Sequence, residues 1–431
     1  MGLEKNDTNR ADKSGGEPPA APGNHAAHSS NFKHIRIKEI AVSRSDALSE
    51  LICRHIREHG PGSFAWFMEQ ALYHPIYGYY SARRTRIGKA GDFFTNVSVG
   101  NLFGEILSGQ FVELFDLLGA PDRFKILEQG AEDGQLARDV LSVLAQKSKA
   151  SGWEYQIIEP SATRAAYQKA HLEKSPIPLS WVEDLDHAGT LHGIIFCNEL
   201  LDALPCHVVE HDGKEWNEIC VTEENGRLSF ISCPIVDLKL ARQVERLPTP
   251  LITPYRTEVN LAALDWTKSA ARALTSGFIL IIDYGFPRQE FYAPLRTEGT
   301  LTGYAQHRRQ KDLLNSPGEI DITAHIDFSA IAEAALTEGC RLIGFTDQHH
   351  FMIGAAEGRL LEMERLANQG LHSAAKQKFL RQFKSLMHPN TMGLAFKYLL
   401  LAKGVTTAKA PTGFKYAKDR QATLQINVNL Q

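Results

Sequence analysis

Cysteine is scarce in this 431-residue chain. Cys53, Cys197, Cys206, Cys220, Cys233 and Cys340 lie far apart and form no C-x-x-C pair, so neither a disulfide framework nor a zinc knuckle is expected. An excess of one charge is missing as well. The 47 Lys and Arg against 50 Asp and Glu leave a net charge of −3, which gives no electrostatic footprint for nucleic acid or an anionic membrane. No apolar run approaches the roughly 18 residues of a membrane span. The longest covers 277–282 and stops at Asp283, so no membrane insertion is expected. Histidines do not cluster with ligand spacing: His207 and His211 read as one face of a strand, and His349-His350 as the end of a strand or a turn. No metal site is expected.

Residues 1–31 lack aromatics, isoleucine and valine, and are rich in Gly, Pro, Ala, Ser and charge. Such a composition buries too little surface to order itself, so a disordered tail is expected. Acidic residues at 4, 7, 12 and 17 argue against a targeting peptide, which places the protein in the cytoplasm, with the mitochondrial matrix as the alternative.

The whole chain is 43% hydrophobic, and beyond the tail it alternates in pattern. Short apolar runs near 124–127, 155–158, 193–197 and 277–282 interleave with helical stretches at about 134–149, 161–172 and 257–275. That alternation predicts an α/β fold, a doubly wound and mostly parallel sheet. Between 206 and 250 the period changes to that of antiparallel strands, with a turn at Asn225-Gly226. The expected organisation is the tail at 1–31 and an N-terminal helical segment at 32–120 covering the site. A core at 121–205 and 257–403, an insertion at 206–256 and a C-terminal extension at 404–431 complete it. Strands near 341–353 and 394–401 and a helix at 355–385 finish the sheet.

Three strand ends carry candidate chemistry. In FKILEQGAEDGQLARDVL a strand reaches the acidic Glu128, then Gly130, Gly134 and a helix. Glycine there permits positive φ and a close ligand approach, and the helix start offers free N–H groups. In YQIIEPS, Glu159 ends the next strand, where a carboxylate accepts ribose hydroxyls. Glu132 and Asp133 in the first turn would repel a pyrophosphate, so S-adenosyl-L-methionine, with its cationic sulfonium, is preferred over a nicotinamide dinucleotide. Asp184, after the strand-like LSWV, is assigned to the adenine amine. In GIIFCNELLDALP, Asn198, Glu199 and Asp202 follow a buried strand and are the candidate catalytic groups, with helix capping by Asn198 and Asp202 as the plain alternative.

The runs ALYHPIYGYY, GDFFTN, LFGE, FKILEQG, IIEPS, CNELLDALP, IIDYG, GTLTGY, PGEIDITAHIDF and MGLAFKYL, collinear over about residues 50–403, resemble the MidA-like methyltransferase family. The resemblance implies a seven-stranded Rossmann-like methyltransferase sheet with an added smaller α+β subdomain, and S-adenosyl-L-methionine as cofactor. It adds Asp92 and Phe93 as residues closing the site. Since the family includes a respiratory complex I assembly factor that methylates an arginine, it implies a protein substrate, with a respiratory-complex subunit as candidate. A homodimer is allowed. The family's first turn reads Glu-Leu-Gly-Pro-Gly-x-Gly, whereas here it is Glu128-Gln129-Gly130-Ala131-Glu132-Asp133-Gly134, with a side chain that must turn away from the ligand. The rival reading is a catalytically silent scaffold that keeps the fold and binds a partner.

Overall fold

The structure, a computed structural model, describes residues 43–81, 95–146, 152–175, 177–306, 308–368, 374–406 and 409–426. The tail at 1–31 therefore lies outside the described residues.

Seven strands make the main sheet: β1 (Phe124–Gln129), β2 (Trp153–Ile158), β3 (Leu179–Val182), β4 (Leu191–Asn198), β5 (Leu274–Phe286), β6 (Arg341–Asp347) and β7 (Phe396–Lys403). Their order across the sheet is β6-β7-β5-β4-β1-β2-β3, with a two-residue strand, Ile326–Asp327, added beside β5. All main-sheet pairings are parallel except those of β7. Chain order reverses at β1, which has β2 on one side and β4 on the other. That switch point opens a crevice at the carboxyl ends of the strands.

The period-two alternation of β5 feeds both faces. Phe278, Leu280 and Ile282 join one apolar layer, while Ile279 and Ile281 join the other. The first layer is covered by α3 (Leu102–Leu117), α4 (Gln135–Leu144) and two long helices, Gln348–Asn368 and Ala374–Met387. Helices Leu261–Ala273 and Phe328–Leu336 cover the second. Phe111, Phe196 and Phe278 are fully buried in the first layer, each contributing about 1.5–3 kcal/mol.

Helix α1 (Arg44–His59) starts where Ser43 accepts the Asp46 N–H, and α2 (Phe64–Tyr73) where Ser63 accepts that of Trp66. Both pack with an antiparallel sheet of His207–His211, Trp216–Glu224, Arg227–Cys233 and Tyr255–Val259. Asn225 and Gly226 both take positive φ in its hairpin turn, as a two-residue loop requires.

Several boundaries differ from the sequence expectation. The antiparallel sheet runs to Val259, because His207 pairs with it, and it recruits Gly62–Ser63 from the N-terminal segment. A three-stranded sheet, Thr302–Ala305, Arg308–Gln310 and Asp321–Thr323, sits in sequence assigned to the core. Within the N-terminal segment, α3 belongs to the core layer. The extension after 403 is packed as well, with Phe414 in the first layer and Leu424 in the second. His349 and His350 are in a helix rather than a strand: the Asp347 carboxylate accepts the His350 N–H at 3.0 Å, which ends β6 and caps the helix. The expected helix at 355–385 is two helices.

Candidate active site

A cleft of about 830 Å³ opens at the carboxyl ends of β1, β2, β4 and β5. Its cofactor side is built from local turns. Gly130 follows β1 at φ +85°, and Gly130, Gln129 and Glu132 border the cleft. A Cβ on Gly130 would meet Leu200 only at contact distance, 3.4 Å, so it is the positive φ rather than lack of space that calls for glycine here. Glu159, at the end of β2, is buried and faces the cleft. Its carboxylate accepts the Ser161 N–H (2.9 Å), Arg164 Nε (3.2 Å) and Gln168 Nε2 (3.2 Å). A carboxylate has about four acceptor sites, so one remains for a ribose hydroxyl. The open turn, the strand-end acid and the crevice together fit an adenosyl cofactor.

The opposite side of the cleft, at the ends of β4 and β5, is acidic. Glu199 follows β4 at φ +56°, a left-handed conformation that a side chain adopts at a cost. The Asn198 amide donates to it at 3.1 Å. Asp283, fully buried on β5, holds the loop in place: its Oδ2 accepts the N–H groups of Leu200 (3.2 Å), Leu201 (2.8 Å) and Asp202 (3.4 Å). Burial, then the neighbouring Asp283, pushes the Glu199 carboxyl up to about 8. Burial and the charges of Asp283, Glu199 and Asp321 push Asp202 well above the usual carboxylate range. Asp283 itself rises to about 7 through burial, against the pull of its N–H donors. Among the described residues, neither Glu199 nor Asp202 pairs with a lysine or arginine.

The structure brings Gly130, Glu159, Glu199 and Asp202 to one cleft, and Asn198 sits behind Glu199 as its hydrogen-bond donor. Neither Asn198 nor Asp202 caps a helix: the short turn Leu201–Ala203 has Leu200 at its cap position and no side-chain cap. Three assigned cofactor residues are elsewhere. Glu128 points into the core, because alternation along β1 turns it away; it accepts the Tyr155 hydroxyl at 2.6 Å, and burial pushes it up to about 7. Gly134 caps α4 at φ +80°, and its missing Cβ faces Leu172 and Gln168, so it serves helix packing. Asp184 is exposed and bonds His187 Nδ1 at 2.7 Å, outside the cleft lining. Asp92 and Phe93 lie outside the described residues. Glu132, in the position of the family's glycine, takes φ +44° and borders the cleft.

Several lining residues carried no assignment from sequence. Tyr73 donates to the Ala203 carbonyl (3.0 Å), and Tyr80 to Asp321 (2.8 Å). Tyr284 stacks on His325 at 6.2 Å, and burial lowers the His325 imidazole to about 4, so it is neutral at pH 7. All of them lie in the runs ALYHPIYGYY, IIDYG and PGEIDITAHIDF, whose shared composition was the available signal.

Comparison with known proteins identifies the family. A family model of S-adenosyl-L-methionine-dependent methyltransferases matches residues 106–346. The mitochondrial protein arginine methyltransferase NDUFAF7 of Mus musculus is 28% identical over 374 residues, covering 80% of this chain and 82% of its own. The mitochondrial NDUFAF7 homologue of Drosophila melanogaster is 26% identical, covering 85% and 87%. A crystal structure of a Burkholderia thailandensis protein bound to S-adenosylhomocysteine is 28% identical with a TM-score of 0.77, covering 88% of this chain and 97% of that one. The cytoplasmic expectation is overturned by these relatives, which are named as mitochondrial; the acidic residues of the tail are not a guide to compartment. The family model spans more than half of the sequence, and with the crevice, glycine turn and strand-end acid in place, this chain belongs to the MidA-like family of S-adenosyl-L-methionine-dependent methyltransferases.

Proposed function

We propose that the protein methylates an arginine guanidinium of a partner protein. The observation that carries this reading is the pair Glu199 and Asp202, two carboxylates without a paired cation on a loop held by Asp283. Asp202 is buried and Glu199 half-buried, and acids so withdrawn from water are costly until something cationic or hydrogen-bonded meets them. A guanidinium stays protonated when free and offers parallel N–H donors. Its arrival draws both carboxyls back to the ionised form, and they in turn orient one nitrogen toward the cofactor side. The bound cofactor supplies an activated methyl on a sulfonium. The chain supplies position and exclusion of water: Glu159 and the Gly130 turn on one side, Tyr73, Tyr80 and Tyr284 on the other.

The activity in the names of the mouse and fly relatives supports arginine as the acceptor, and their compartment supports a mitochondrial setting. A respiratory-complex subunit as partner and a homodimeric assembly are narrower forms of the same reading, the latter checked by light scattering. A silent scaffold is not favoured, since the departure at Glu132 leaves the cleft open. The test is transfer of labelled methyl from the cofactor to a host lysate, with the label located by mass spectrometry. Label on arginine nitrogen of a protein is expected; label confined to lysine or small molecules would contradict the proposal.

A further inference from the structure

Helix α5 (Ala162–Leu172) follows Ser161, whose hydroxyl caps it. Residues 164 and 168 are one turn apart on one helix face, and both grip Glu159. Gln168 does more. Fully buried, its Nε2 also donates to the backbone carbonyl of Glu132 at 2.8 Å, and its Oε1 accepts Trp181 Nε1 at 2.9 Å. Its Cγ lies 3.7 Å from where a Cβ on Gly134 would stand. One side chain thus ties together the turn after β1, the acid at the end of β2, and a residue of β3.

The need for such a tie is visible in the first turn. Glu132 holds φ +44° where the resemblance leads one to expect glycine. A non-glycine residue resists that conformation, and a hydrogen bond to its carbonyl fixes the peptide that a glycine would hold freely. Both amide hydrogens of Gln168 are used, one on the turn and one on the ribose-side acid, so the distance between those two elements is set by a single rigid group.

We infer that Gln168 is a positioning residue for the cofactor, acting through the Glu132 backbone and the Glu159 carboxylate, and that it compensates for the missing glycine. Gln168→Met keeps the length and the packing of the stem and removes every hydrogen bond. In calorimetric titration of the full chain with S-adenosylhomocysteine, this variant binds about 10-fold more weakly, the loss expected from unpairing buried polar groups. Its unliganded melting temperature falls by a few degrees, because Trp181 Nε1 and the Glu132 carbonyl lose their partner, but the variant remains folded. In turnover the loss falls on the cofactor KM and not on kcat at saturation, a split that lost stability alone would not produce. Adding Glu132→Gly to Gln168→Met restores part of the affinity, because glycine takes the turn without a tether. Parent-like affinity in Gln168→Met would overturn the inference. So would loss of the fold in both variants, or a weakened Gln168→Met that Glu132→Gly does not improve.

Discussion

The two sides of the cleft solve opposite problems with the same kind of group. On the cofactor side, Glu159 has donors from Ser161, Arg164 and Gln168, all within nine residues of it. On the acceptor side, Glu199 and Asp202 meet other carboxylates, and burial drives them toward the neutral form. The first side is stable without its partner and keeps one acceptor site for a hydroxyl. The second, in the function we propose, is destabilised without its partner and relieved by a cation. Binding of cofactor and recognition of acceptor are therefore separable by mutation.

The largest separation is expected at Glu199. Glu199→Gln keeps size and removes charge, so single-turnover methyl transfer should fall roughly 30- to 1,000-fold, the equivalent of ~2–4 kcal/mol from one charge-assisted contact in a dry site. Affinity for S-adenosylhomocysteine should stay nearly unchanged in the same variant. Transfer at the parent rate would return Glu199 to a structural role. Next comes Asp283→Ala, which leaves the N–H groups of Leu200, Leu201 and Asp202 without their acceptor. Chemical denaturation should report a loss of about 3 kcal/mol; parent-like stability would mean that the loop is held by other contacts.

Glu159→Gln breaks the other side. Calorimetry should show S-adenosylhomocysteine binding about 10-fold more weakly, with transfer at saturating cofactor little altered. The smallest effect belongs to Asp184→Asn. That carboxylate is exposed and occupied by His187, so affinity should stay within error; a clear loss would bring Asp184 back into the cofactor shell.

What could be read from the sequence follows the same division. The cofactor side is local: two successive strand–turn–helix units occupy residues 124–172, and the hydrophobic period together with Gly130 and Glu159 reveals them. The sheet is legible for the same reason, since the central strands β1, β2, β4 and β5 each carry one apolar run. The acceptor side depends on contacts between distant segments. Tyr80 meets Asp321 across 241 residues, and Asp283 meets the Leu201 N–H across 82. In sequence, Asp283 marks only where an apolar run stops. Glu128 misled because an acid beside a glycine turn looks like a ligand, while the alternation of the strand sends it inward to Tyr155. Asp347 was equally silent: a capping carboxylate that converts an expected strand end into a helix needs the fold to be recognised.

In the function we propose, Glu199 and Asp202 await a guanidinium, and the pH dependence of binding shows whether they do. Glu199 is raised to about 8, so below that pH a guanidinium must first displace its proton, and above it the carboxylate is ready. The guanidinium itself stays charged throughout. With the protein saturated in S-adenosylhomocysteine, calorimetry with acetyl-arginine amide should show affinity rising from pH 6 to about 8 and levelling beyond. Glu199→Gln should bind more weakly, with a shallower pH dependence. Equal affinity across the range, with the same value in Glu199→Gln, would contradict the assignment of this side to an arginine acceptor.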